Sequence, residues 1–395
     1  MPFDRSQARE VFEASTDFTV GLEEEFALLD PSSLSLVSAF EDLKAAADAD
    51  ELLTDSVAGE LISSEIEIRS GRGEDFADAL DRQRARRRRL FELAADRGVL
   101  LGATGLHPWS PWQEQRIIDT PHYRRVEEEL KYVAWTNNAF SIHAHVGMRG
   151  ADRAVAVCDV LRTVLPTLLA ASANSAFVDG CLSGLHSSRS QIFTRSFPRC
   201  GIPDFYGSWD AYADYVDFLF ASNSIVEVTQ IWWSVRPHAE FGTVEIRIMD
   251  AQTRAEESTA LLALATACAA QAGLDFEAGR RPRDVPHRLI EENLWRAIRY
   301  GLDGKLIDLD VVAEVTAREA VERLLQWTGP ARAELKLDPH LEAVEQMLDS
   351  GNGAQRQQRR HAAGESIHDI YGAAVAETCA SYAETPAGVG ACARC

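Results

Sequence analysis

One pattern occurs four times in this chain and restricts its fold more than any other feature. Phe18–Leu29, Gly59–Ser70, Ala139–Gly147 and Gly242–Asp250 each place apolar side chains on alternate positions and ionisable ones between them. A period of two marks a β-strand, because successive side chains leave the backbone on opposite faces. In the first segment Val20, Leu22, Phe26 and Leu28 share a face, and Gly21, Glu23, Glu25 and Ala27 share the other. The second sets Ile66 and Ile68 against Glu65, Glu67 and Arg69. The third sets Phe140, Ile142, Ala144 and Val146 against Ser141, His143, His145 and Gly147. The fourth sets Val244, Ile246 and Ile248 against Glu245 and Arg247. Any one segment alone fits a solvated strand face, the ordinary place for acids. Four together predict a sheet with helices on one face and a charged cavity on the other. Acids crowded there repel one another unless cations lie between them. Mg²⁺ suits such a face, since it takes carboxylate oxygens and keeps positions for water and phosphate. An arginine beside it suits a phosphate. Glu24 breaks the pattern: it is an acid on the apolar side, and the alternation gives no reason for it.

The remaining chain predicts helices over 5–14, 40–48, 74–97, 121–136, 151–173 and 208–221, strands over 99–104 and 224–235, and an irregular stretch over 174–207. From 254 onward it reads as helices, at 254–273, 285–300, 308–328, 338–349 and 365–380. No internal repeat or linker divides it. The expectation is one α+β domain over 1–380, an antiparallel sheet covered on one side by helices, and a disordered tail over 381–395. The tail carries the lone pair Cys392 and Cys395, too few for a metal site. The formal net charge of −21 argues against non-specific nucleic-acid binding, which needs a basic face. No apolar run long enough to span a bilayer is expected, nor a signal peptide, so the location expected is cytoplasmic, without a membrane. The seven cysteines are scattered and read as reduced thiols, Cys200 among them as structural. There is no glycine-rich phosphate loop, so phosphate binding falls to metals and basic side chains. His143 and His145 with an acid also fit a zinc hydrolase, which would act without ATP.

Six motifs then occur in a telling order: Gly-Leu-Glu-Glu-Glu-Phe at 21–26, Glu-Ile-Glu-Ile at 65–68, His-Ala-His-Val-Gly at 143–147, Ser-Arg-Ser at 188–190, Ile-Trp-Trp-Ser-Val-Arg-Pro-His at 231–238 and Phe-Gly-Thr-Val-Glu-Ile-Arg-Ile-Met-Asp at 241–250. Together they resemble the YbdK-type carboxylate–amine ligases of the glutamate–cysteine ligase superfamily, over residues 17–375. The resemblance implies a glutamine-synthetase-like fold, with a curved, mainly antiparallel sheet, helices on one face and the active site on the other. It implies ATP and Mg²⁺, small-molecule carboxylate and amine substrates, and a homodimer. Residue by residue, it makes Glu23, Glu25, Glu60, Glu67, His143 and Glu245 metal ligands, with Glu60 and Glu67 on one strand. It assigns Arg247, His143 and Arg189 to the nucleotide, and Arg247 and Arg195 to catalysis. The implied reaction is amide-bond formation through an acyl phosphate, with glutamate and cysteine as the first substrates to test. A phosphotransferase and a non-catalytic Mg-ATP-binding protein fit the same scaffold.

Overall fold

In the computed structural model, residues 3–383 are described; Cys392, Cys395 and the predicted tail beyond 383 lie outside them. Seven strands form the main sheet: β1 (Val20–Leu29), β2 (Val57–Ala58), β3 (Glu65–Arg69), β4 (Leu100–Gly102), β5 (Ser141–Gly147), β6 (Val235–His238) and β7 (Thr243–Asp250). Their order is β6-β7-β5-β1-β3-β2, with β4 paired to the end of β1, and every pairing is antiparallel. The four alternating segments therefore become four adjacent strands, β7, β5, β1 and β3. Register aligns their polar residues in rows. Glu23 lies between Arg69 and His143, and Glu25 lies opposite Glu67. His145 lies between Gly21 and Glu245, and Glu245 faces Arg236.

Helices cover the apolar face: α1 (Phe76–Asp96), α2 (Ala151–Leu161), α3 (Leu165–Ser172) and α5 (Ala255–Glu277), while α4 (Ser188–Ser196) and α6 (Ile367–Tyr382) flank the sheet. Val20, Leu22, Ile142, Ala144, Val146, Val244 and Ile246 are buried in one core with α2, α3 and α5. Phe26, Leu28, Ile66 and Ile68 pack with Leu90, Phe91 and Ala94 of α1 and with Tyr382. Burying each such side chain contributes roughly 1.5–3 kcal/mol. α5 is buried along most of its length, from Ala255 to Gly273 except Glu256. By length and composition it could cross a bilayer, which corrects the expectation that no such run exists; 83% of its most apolar window is buried inside the molecule.

Several predicted elements shift. The strand expected over 59–70 begins only at Glu65, so Glu60 sits on the connection from β2 rather than on a strand. The strand expected over 224–235 is instead a 3₁₀ turn, Val228–Gln230, and a two-residue strand, Trp232–Trp233, that pairs with Cys200–Gly201. The sheet strand is β6, in the stretch expected to be a link. Its Pro237 is tolerated because β6 is an edge strand. The helix expected over 151–173 bends by 58° between α2 and α3, where Pro166 enters and cannot donate to the helix ladder. The helix expected over 121–136 breaks at Lys131, whose φ is 49°. The stretch 174–207 holds α4. The helix expected over 308–328 starts only at Ala317, after a hairpin of Lys305–Asp308 with Ala313–Thr316. Thr316 and Glu319 form a capping box at that start, a signal readable in the sequence. The last helix runs to Tyr382, so the expected tail boundary at 381 falls inside it.

Candidate active site

The polar face of β7, β5, β1 and β3 is the floor of a cavity of about 360 Å³. Leu61, Tyr123, Val126, Phe193, Phe197 and Trp232 build an apolar wall to it. At the mouth, His238 stacks on Phe241 with ring centroids 4.4 Å apart. Volume and mixed lining suit a small molecule. Gly21 occupies the row between Glu23 and His145 without a side chain; a Cβ there would lie 3.3 Å from that of His145.

Three strands meet at His143. Its Nδ1 lies 2.9 Å from Glu23 Oε2, and its Nε2 lies 2.8 Å from Ser141 Oγ. Ser141 donates its backbone N–H and, over 2.7 Å, its hydroxyl to Glu25. His143 thus bridges Glu23 and Ser141, and Arg247 Nη1 lies 3.5 Å from its Nδ1. His145 Nε2 lies 3.3 Å from Glu23 Oε1, and its Nδ1 lies 3.0 Å from Thr243 Oγ1. On the other side Arg236 donates Nε to Glu245 over 2.6 Å, and Arg247 donates to the same carboxylate.

The charges divide in two. Glu245 is buried, which alone would raise its pKa, but Arg236, Arg247 and His145 hold it well below the usual range. Glu23 is likewise pushed up by burial and pulled further down by His145 and His143. Burial lowers His145, yet Glu23 and Glu245 outweigh it and raise its pKa. Burial and then Arg247 lower that of His143. The acids toward β3 lack such partners. Burial raises Glu60, with Glu25 adding to it, to about 8. Burial followed by Glu25 and Glu60 raises Glu65 well above its ordinary value, and burial followed by Glu23 and Glu60 does the same to Glu67. Like charges crowded in a low-dielectric site disfavour full ionisation.

Two donor sets have their ligand atoms within 4.8 Å of one another: Glu23, His143 and Glu245, and Glu25, Glu67 and His143. They are rich in oxygen, which fits Mg²⁺ or Mn²⁺ better than zinc. Among the described residues neither set contains both imidazoles, so the expected alternative of a two-histidine zinc site is not what the geometry assembles. Glu60 and Arg247 line the same cavity. Of the predicted site residues, Glu23, Glu25, Glu60, Glu67, His143, Glu245 and Arg247 thus come together.

Arg189 and Arg195 do not. Arg189 is buried behind β7 and donates to the backbone carbonyls of Ile248 (3.1 Å) and Arg247 (3.2 Å). Arg195 points away to an exposed ion pair with Glu291 at 2.6 Å. Neither lines the cavity: α4 presents Arg189 to β7 and Arg195 to the ion pair with Glu291. Arg236 and Ser141 also touch the predicted ligands, Arg236 through Glu245 and Ser141 through Glu25 and His143. Each stands on the polar face of its strand, a period-two signal that was available. Glu24 also receives its account. Below the sheet it accepts from Ser258 Oγ (2.6 Å), Gln83 Nε2 (2.9 Å) and Arg87 Nη1 (3.2 Å), so it ties β1 to α5 and α1.

Known proteins carry the same architecture. A solved glutamate–cysteine ligase from Francisella tularensis, in complex with AMP, superposes with a TM-score of 0.69 at 13% identity, covering 94% of this chain and 91% of that one. A bifunctional glutathione synthetase from Pasteurella multocida gives 0.65 at 13% identity, covering 95% of this chain and 54% of that one. The fold is glutamine-synthetase-like, as the resemblance implied. In sequence, a putative glutamate–cysteine ligase 2-3 of Rubrobacter xylanophilus is 40% identical over 349 residues, 88% of this chain and 93% of the relative. A putative glutamate–cysteine ligase 2 of Solibacter usitatus is 38% identical over 341 residues, 86% and 88% of the two chains. The family model of glutamate–cysteine ligase family 2 matches residues 19–374. The protein is an enzyme of the carboxylate–amine ligase class. It belongs to glutamate–cysteine ligase family 2.

Proposed function

We propose that the protein joins a carboxylate to an amine at the expense of ATP, through an acyl phosphate formed over the β7–β5–β1–β3 face. The observation that carries this is the juxtaposition of a cation-seeking acid cluster with Arg247 in one small cavity. Mg²⁺ held by Glu23, Glu25, Glu67, Glu245 and His143, with Glu60 close by, would neutralise the nucleotide phosphates. Arg247 then offsets charge on the phosphoryl group in transfer. Glu245, between Arg236 and Arg247, fixes where that guanidinium points. The apolar wall of Phe193, Phe197 and Trp232 keeps water from the activated acid. A carboxylate oxygen of the acid attacks the γ-phosphorus and ADP leaves. The amine attacks the acyl carbon, the C–O bond to phosphate breaks, and an amide and inorganic phosphate are released. No protein nucleophile takes part. Glutamate and cysteine are the first pair to test, since the similar proteins bear that name.

Hydroxylamine tests this directly. With ATP, Mg²⁺ and the correct acid, it intercepts the acyl phosphate as a hydroxamate, and ADP appears in equal amount. ADP with a stable phosphorylated acceptor would instead show a phosphotransferase. Nucleotide binding with no ADP from any acid would show a protein that only binds Mg-ATP.

A further inference from the structure

We propose that Arg69 receives the carboxylate of the acid substrate that is not activated, and so determines which acids the enzyme accepts. This rests on the ligase reading above and adds a residue to it. Three arginines line the cavity: Arg69, Arg236 and Arg247. Two are already committed. Arg236 gives Nε to Glu245 over 2.6 Å and Nη1 to the carbonyls of Ile231 and Thr229, the latter over 3.2 Å. Arg247 is bound to the same carboxylate. Arg69 differs. Its closest charged partner is Glu67, at 3.6 Å from Nε, which is too long for a hydrogen bond. Its side chain is 38% exposed into the cavity mouth. Among the described lining arginines it is the one whose side chain makes no hydrogen bond. A guanidinium fork in that state matches a carboxylate in two parallel hydrogen bonds.

Position decides which anion it meets. β3 and β7 are separated by β1 and β5, so Arg69 and Arg247 stand three strand spacings apart, about 14 Å. The acids and His143 lie between them. Phosphoryl transfer brings two anionic substrates together over that cluster, one from each side. Arg247, tied to Glu245, marks the phosphate side. Arg69, whose cross-strand neighbour is Glu23, marks the other. The acid then needs two anionic groups, one over the cluster and one on Arg69.

The shared chemistry, an anion on a guanidinium, could come from the acid or from the nucleotide, and kinetics separates them. The probes are L-glutamate and its α-amide, L-isoglutamine, each with cysteine, ATP and Mg²⁺, followed by ADP release. In Arg69→Gln, kcat/KM for L-glutamate should fall about 10- to 100-fold, the loss of a charged hydrogen-bonded contact. KM for ATP should stay within about twofold, and the loss on isoglutamine should be much smaller than that on L-glutamate. Arg69→Lys should recover part of the loss. A raised KM for ATP, or equal losses on both acids, would overturn the assignment while leaving the ligase reading intact. No ADP from the wild type with either acid or with a wider acid panel would refute the ligase reading, and this inference with it. Arg69 is half in solvent, so the variants should melt within a few degrees of the wild type.

Discussion

Glu24 and Glu67 are both all but sealed from water, 1% and 4% exposed, yet the chain treats them in opposite ways. Glu24, beneath the sheet, meets a full set of donors from Gln83, Arg87 and Ser258. Arg87 itself lies over the ring of Tyr382, 5.0 Å from its centre. Glu67, above the sheet, meets other acids, and only Arg69 at 3.6 Å offsets them. A buried carboxylate without partners is costly. The chain supplies its own counter-charge where the acid joins elements, and the two faces of one sheet thus separate an acid that holds the fold from acids crowded against one another, the face proposed to take cations.

The largest effect expected on that contrast comes from breaking the lower pair. Arg87→Ala leaves the buried Glu24 carboxylate without its counter-charge, held only by Gln83 and Ser258, and should destabilise the fold by about 3–5 kcal/mol, read as a lowered denaturation midpoint. Glu24→Gln combined with Arg87→Met should recover much of that loss. An Arg87→Ala protein as stable as the wild type would break the comparison.

Next is the upper face. Glu67→Gln removes a ligand and a repulsion at once. Activity should fall by at least about 100-fold, beyond the usual effect of a residue that only supports a ligand. Stability in chelator should hold or rise. If both activity and stability fell together, Glu67 would belong with Glu24.

The pH dependence is smaller. Glu60, raised to about 8, holds its proton in the folded chain where the unfolded chain, near the ordinary 4.5, has released it. The native state therefore binds more protons between those values, and metal-free stability falls as pH rises from about 5 to about 8. A metal ion must displace that proton, so the gain in melting temperature on adding Mg²⁺ should grow over the same range. A gain independent of pH would show that Glu60 stands outside the cation site.

The smallest effect belongs to Arg195→Ala. It removes an exposed ion pair with Glu291 and should change stability by less than about 1 kcal/mol. ADP release should stay within about twofold. A large loss of turnover would return Arg195 to the catalytic role first expected of it.

What the sequence made legible follows from locality. The alternation in β1, β3, β5 and β7 names Glu23, Glu25, Glu67, His143, Glu245 and Arg247, because side-chain direction on a strand is a local property. Distances between elements are not local. Ser188-Arg189-Ser190 and Arg195 look like ligand-binding residues in the chain, but the docking of α4 turns Arg189 onto the carbonyls of β7. The strand expected over 224–235 stops short of Arg236, whereas β6 includes it and, at the sheet edge, tolerates Pro237. Glu24 was unexplained because Gln83, Arg87 and Ser258 lie 59, 63 and 234 residues away in sequence. The expected single-domain span of 1–380, the homodimer and the cytoplasmic location remain expectations of the sequence.

The central claim is that the acid face takes a divalent cation that the fold itself does not require. Chelator-treated protein titrated with Mg²⁺ at pH 8 tests it, with thermal unfolding as the readout for the wild type and Glu67→Gln. The account predicts a saturable rise in melting temperature for the wild type and a rise at much higher Mg²⁺ for the variant, whose metal-free midpoint equals or exceeds that of the wild type. Identical Mg²⁺ responses in the two proteins, or none in the wild type, would contradict it.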